Sequence, residues 1–248
     1  MEHLLRATAR AEATHFWFRG FRLFVLPLLR QATKGRINPL ILDCGCGTGN
    51  NLVLLGQFGR AYGFDLTGVG LKIGREAGRT RLARASVAAV PFPANTFDIV
   101  TSFDVLYSLE EPVERAAVAE MFRVAKPGGF VVVNVAAMES LRGDHSVLSR
   151  EVRRYDRASL SRLLADAGFS IERLTYTNAV LFPAMAIGRA AQRRRGLSKE
   201  EHADQEISVP IAPVNLALTA ALTLESWWLR FVDNPFGSSL LCLAKKPA

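Results

Sequence analysis

The sequence predicts a single α/β domain in which short buried strands alternate with helices around a parallel, doubly wound sheet. Three observations carry that expectation. Apolar runs of strand length recur along the chain with helix-period segments between them, which is the pattern of βα units. Three glycines at alternate positions, Gly45, Gly47 and Gly49, stand between the apolar run Pro39-Leu40-Ile41-Leu42 and the helical stretch Asn51-Leu52-Val53-Leu54-Leu55. The next run, Tyr62-Gly63-Phe64-Asp65-Leu66, ends in an acid 22 residues after Asp43, the place where Rossmann-like sheets hold a ribose-binding carboxylate.

Length and composition agree. A chain of 248 residues can bury about three quarters of its unfolded surface as one domain, and no linker divides residues 1–248. Charged residues at 22% and hydrophobic ones at 49% are those of a globular protein. The net charge of +8 is spread along the chain and favours an acidic acceptor or an anionic lipid without singling out either. Three cysteines cannot all pair within one chain, which fits a reducing compartment. Cys44 and Cys46 are too close for a disulfide and have no second ligand pair near them, so no metal is expected. The N-terminus lacks an apolar core followed by a small-residue cleavage site, and a cytoplasmic location follows.

The elements follow in order. Residues 1–36 form a helical cap whose Phe16-Trp17-Phe18 cluster packs on the core. Strands are expected near 39–43, 61–65, 82–87, 97–102, 130–136, 170–177 and 238–244, with helices near 50–58, 68–78, 112–125 and 157–167. Pro112 starts one helix and Pro127-Gly128-Gly129 stops it. Between the sixth and last strands, residues 178–237 make a helical insertion. Its apolar stretch from Leu181 leads into Arg193-Arg194-Arg195, an acidic, polar patch spans Lys199 to Glu206, and an uncharged run opens at Val209 and ends before Glu225-Ser226-Trp227-Trp228. That run is too short and too interrupted by proline for a membrane span of about 20 residues. A cover over an acceptor pocket, a homodimer face, and a peripheral lipid contact through 181–232 all remain open for it.

The glycine turn lets a ligand lie directly on the main chain. Asp43 would repel a pyrophosphate but attract an ammonium group, while Asp65 suits ribose hydroxyls. One ligand must then carry a cation and a ribose, and S-adenosylmethionine does. An ordinary βα turn with accidental glycines is the plainer alternative, and it leaves the second acid unexplained.

With these residues in place, the chain resembles the class I S-adenosylmethionine-dependent methyltransferases. Pro91-Phe92-Pro93 through Phe97-Asp98-Ile99-Val100 resembles the family's approach to the fourth strand, and Lys126-Pro127-Gly128-Gly129 its turn into the fifth. His15-Phe16-Trp17-Phe18-Arg19-Gly20, Arg153-Arg154-Tyr155 and Pro235-Phe236-Gly237-Ser238-Ser239-Leu240-Leu241 are similar to a bacterial small-molecule subgroup. The resemblance implies seven strands with an antiparallel last one. It also implies a cofactor site formed by Arg19, Asp43, Gly45, Cys46, Gly47, Asp65, Leu66, Ser86, Val87 and Phe103, with Arg19 meeting the methionine carboxylate. Two positions depart from the family. Ser86 replaces an acid that meets adenine, and Ser108 replaces a frequent histidine after the fourth strand.

Methyl transfer asks the protein to align the acceptor and, for a neutral O–H nucleophile, to take a proton. The polar segment after the fifth strand holds Asp144-His145-Ser146 and Glu151-Val152-Arg153-Arg154-Tyr155, where relatives read His-Asp and His-Arg-Arg-Tyr. His145 is the candidate base or acceptor contact, with Tyr155 beside it. The alternative is a His145 that hydrogen-bonds within an ordered loop while Arg153, Arg154 and Arg157 form a solvated face. Nucleic acid is disfavoured, because no Asn/Asp-Pro-Pro-aromatic segment ends the fourth strand and no basic domain is appended. The expected function is methylation of a small, partly apolar or lipid-like molecule. The rival of a different class is a cofactor-binding protein with a regulatory or non-methyl role.

Overall fold

The computed structural model describes residues 8–196 and 209–248. The start of the expected cap and the patch Lys199 to Glu206 lie outside the described residues. Helix α1 (Phe16–Thr33) leads into β1 (Leu40–Cys44), α2 (Asn51–Leu55), β2 (Arg60–Asp65), α3 (Gly68–Glu76), β3 (Leu82–Arg84) and β4 (Phe97–Phe103). Then come α4 (Glu111–Val124), β5 (Ala125–Ala136), α5 (Asp144–Leu148), α6 (Arg157–Asp166), β6 (Ser170–Thr177), α7 (Phe182–Arg195), α8 (Ala212–Trp228) and β7 (Ser239–Lys245). The seven strands form one sheet in the order β3-β2-β1-β4-β5-β7-β6, and β7 runs antiparallel to both its neighbours.

Central strands are apolar on both faces because both faces are covered. Val131, Val132 and Val133 of β5 are fully buried, as are Ile41 and Leu42 of β1. One face packs Ala117, Val118 and Met121 of α4 and Leu160 and Leu164 of α6. The other packs Phe24, Val25, Leu28, Leu29 and Ala32 of α1, whose spacing of three to four residues puts them on one stripe, together with Leu222 of α8. Cap chemistry sets the helix starts. Asp156 accepts from Ser159 N at 2.7 Å ahead of α6, and Pro112 occupies the first turn of α4.

Several boundaries differ from expectation for local reasons. β3 ends at Arg84, not 87, because the chain turns at Ser86, whose carbonyl and hydroxyl accept from Ala89 N and Ala88 N. α2 stops at Leu55, short of 58, with Gly56 as its cap. β5 starts at Ala125 and bulges through Lys126–Gly129, where Lys126 Nζ reaches both Asp98 oxygens at 3.0 Å. Among the described residues, no helix is long and apolar enough to cross a membrane.

Candidate functional site

The parallel strands β3, β2, β1, β4 and β5 bring their carboxyl ends to one edge, which sets Ser86, Asp65, Asp43 and Asp104 there in spatial order. Asp43 is 1% exposed. Its Oδ1 accepts from Thr101 Oγ1 at 2.7 Å, while its Oδ2 is buried with no hydrogen-bond partner among the described residues. Burial raises this carboxyl to about 7, Thr101 opposing the rise and the charge of Asp65 adding to it. A buried acceptor left open at the carboxyl edge of the sheet is a place for a donor supplied from outside, and a cationic one would restore its charge.

The glycine turn lies against β2. Gly45 N and Cys46 N both donate to Phe64 O at 2.9 Å. Gly45 has φ +78°, and a Cβ there would fall 2.5 Å from Val105 Cγ2, so only glycine fits. Asp65 holds the turn from the other side, its Oδ2 accepting from Gly47 N at 2.8 Å and its Oδ1 from Thr67 N at 2.7 Å. Each oxygen keeps a further lone pair, enough for two ribose hydroxyls. Cys46 is buried against Gly63, and Leu66 is exposed beside Asp65. Burial, first among the causes, pushes the Cys44 and Cys46 thiols well up, so both stay neutral. Helix α3 approaches the turn closely through Gly70 and Gly74, where a Cβ would sit 2.8 Å from Gly47 O and 2.3 Å from Thr48 O. Their i, i+4 spacing was the available sequence signal, and it was missed.

The N-terminal segment rests on this turn, since Thr48 Oγ1 donates to the buried Glu12 Oε1 at 3.0 Å. His15 caps α1, its Nδ1 accepting from Trp17 N at 3.1 Å, and its ring stacks on Phe16 at 4.5 Å. Asn215 of α8 clamps the same place, accepting from Phe16 N at 2.8 Å and donating to Thr14 O at 2.9 Å. Arg19 is exposed on the first turns of α1, with no ion pair among the described residues. Phe103 closes β4 on this side, edge-on to Phe21 at 5.0 Å. Ser86 and Val87 are half-buried in the turn after β3.

Residues 137–155 fold back over the exit of β4, with Val152 N and Arg153 N donating to Tyr107 O. His145 is half-buried on α5, and its carbonyl accepts from Ser149. Tyr155 stands apart from it in chemistry. Its hydroxyl donates to Glu114, which also pairs with Arg153, and burial followed by Glu114 pushes the phenol far above its usual range. A phenol so held keeps its proton. The expectation of a solvated face at Arg153, Arg154 and Arg157 also fails. Arg154 makes a buried two-point contact with Glu151 at 2.8 and 3.0 Å, and Arg157 donates to Leu174 O and Asn234 O.

Asp104 went unnoticed in the sequence. It follows β4 with φ +60°, accepts from Asn134 Nδ2 at 2.9 Å, and precedes Val105, which touches the glycine turn. It is exposed to solvent at its rim while protein surrounds the carboxyl. Desolvation, the largest cause, raises that carboxyl to about 7, Asn134 opposing and Glu151 adding to the rise. A non-glycine residue at positive φ beside the turn was the hidden signal, and sequence does not display φ.

Comparison with known proteins points the same way. The methyltransferase domain family matches residues 42–133. The chain is 28% identical over 186 residues to the ubiquinone/menaquinone biosynthesis C-methyltransferase UbiE of Shewanella pealeana, covering 60% of this chain and 72% of that protein. It is 30% identical over 200 residues to the demethylmenaquinone methyltransferase of a Geobacillus species, covering 64% of this chain and 84% of that protein. Phosphoethanolamine N-methyltransferase 2 of Haemonchus contortus, in complex with phosphomonomethylethanolamine and S-adenosylhomocysteine, shares the fold at a TM-score of 0.61 and 18% identity, over 100% of this chain and 58% of that one.

Proposed function

This chain belongs to the class I S-adenosylmethionine-dependent methyltransferases, and from that premise we propose that it methylates a small, partly apolar acceptor at the carboxyl edge of its parallel strands. The cofactor is S-adenosylmethionine, which when bound supplies an electrophilic methyl on a sulfonium. The open Oδ2 of Asp43 carries the reading. It fits the cofactor's ammonium, as Asp65 fits the ribose and the main chain of Gly45, Cys46 and Gly47 fits a ligand lying flat. In this reading Leu66, Ser86, Val87 and Phe103 border the cofactor, and Arg19 meets its carboxylate. The names of the two quinone-pathway relatives support an acceptor with apolar character.

His145 accepts the acceptor's proton in this proposal, with the Asp104 carboxylate as the second proton-accepting group of the site. Tyr155 has a structural part, bonded to Glu114. One domain for the whole chain is part of this reading, supported by Asn215 and Leu222 of the insertion, which pack directly on α1. The test is release of S-adenosylhomocysteine when the protein is given S-adenosylmethionine with fractionated metabolite and lipid extracts, using Asp43→Asn as the inactive control. Cofactor binding without turnover on any fraction would favour the regulatory, non-methylating alternative, and absence of cofactor binding would remove both.

A further inference from the structure

Helix α8 turns large apolar side chains away from the protein. Its inner positions Asn215, Leu222, Glu225 and Ser226 are buried. On the opposite arc Leu216 is 67% exposed, Leu224 71%, Trp227 58% and Trp228 52%, and Phe231 in the next turn is 72% exposed with its ring edge-on to Trp227 at 5.5 Å. At 3.6 residues per turn these side chains share about a third of the circumference. That arc carries no charge, because the helix's one ionisable residue, Glu225, faces inward and accepts from Ala179 N and Val180 N. An outward arc so apolar calls for a cover.

Charge decides what the cover is. The partner helix α1 carries exposed Arg30 in its last turn and contains no acid. Arg30 and Arg230, both exposed, have no acid partner among the described residues. A second copy would set the same basic layer against itself on a chain already carrying +8, whereas an anionic surface complements it. Among the described residues no helix can span a bilayer, so the contact is one of lying on the surface. We propose that the outer face of α8 docks the protein on an anionic lipid surface, with Trp227, Trp228 and Phe231 at headgroup depth and Arg30 and Arg230 against lipid phosphates. The inference rests on the partly apolar acceptor proposed above, since docking brings the site to the phase in which such a molecule dissolves.

Flotation of the full chain with phosphatidylglycerol/phosphatidylcholine vesicles at low salt tests this, with pure phosphatidylcholine vesicles as the neutral arm. The expected result is binding at least tenfold stronger to the anionic vesicles, with a blue shift of tryptophan emission. The exposed pair Trp227→Glu and Phe231→Glu should lose at least tenfold of that affinity, and Arg230→Gln a smaller part, while calorimetry shows unchanged cofactor affinity. No vesicle binding by the wild type, or equal binding by the double variant, overturns the docking proposal, as does a dimer in sedimentation velocity that the double variant splits. Cofactor binding measured in parallel keeps this failure separate from a failure of the functional reading, which would abolish that binding instead.

Discussion

Replacing Asp43 by Asn should make the empty protein more stable and the cofactor complex weaker. Thr101 can still donate to the amide oxygen, so the local geometry survives. Because the folded carboxyl is raised from 3.8 to about 7, its contribution is fully present below the unfolded value and is lost as pH rises through 7. At 1.36 kcal/mol per pH unit, the ionised group costs the fold up to about 4 kcal/mol at pH 8. The amide itself loses hydration on burial, so a net gain of about 1–3 kcal/mol is expected, or roughly 2–10 °C in Tm for a domain of this size. At pH 5 the wild-type penalty has fallen by about 3 kcal/mol, so the variant should melt level with the wild type or up to about 2 kcal/mol below it. Binding should show the reverse. A cation needs the ionised carboxylate, so wild-type affinity should fall about tenfold from pH 8 to pH 6, and the variant's affinity should be weak and flat over that range. Thermal melts and calorimetry from pH 5 to 9 check both halves. Parallel melting curves for the two proteins, with equal cofactor affinity at pH 8, would refute the assignment of the open oxygen to the cofactor.

Asp65→Ala should weaken cofactor binding by about 1.5–3 kcal/mol, the scale for hydrogen bonds to a charged group, because the turn loses the Gly47 tie as well as the ribose contact. Calorimetry giving wild-type affinity in a folded variant would sink that role. His145→Ala should keep cofactor affinity and lower kcat about 100-fold. Measuring kcat at saturating cofactor keeps Asp43 out of the pH profile, and a retained acidic limb with near-normal turnover would move the base to Asp104. Tyr155→Phe should cost about 1–2 kcal/mol of stability through the lost bond to Glu114 and leave kcat within about twofold. A large loss of kcat at unchanged stability would show the phenol to be catalytic after all.

What was legible in the sequence is what local chemistry writes there. The strand at 170–177 reads directly from its flanks and periodicity, as does the glycine turn with an acid at either end of it. Pro213, one of the prolines that interrupt the uncharged run, occupies the first turn of α8, and Pro183 the first turn of α7, where a missing N–H costs nothing. The contacts that complete the site were not legible. Glu12 meets Thr48 across 36 residues and Phe16 meets Asn215 across 199, and no local pattern announces such pairs. The chemistry of Tyr155 turned on Glu114, 41 residues earlier, and a motif naming Arg-Arg-Tyr says nothing of where that hydroxyl points.

The Asn215 clamp has a consequence for how the site opens. One amide holds the carbonyl of Thr14 and the N–H of Phe16, so the strip of chain leading over the glycine turn is fastened to the insertion. Any opening of that strip to admit the cofactor must drag α8 with it or break both bonds. Two doorways hinged on one pin do not swing independently. Trimming the pin with Asn215→Ala should therefore speed cofactor exchange in stopped-flow measurements while leaving the reacting groups in place.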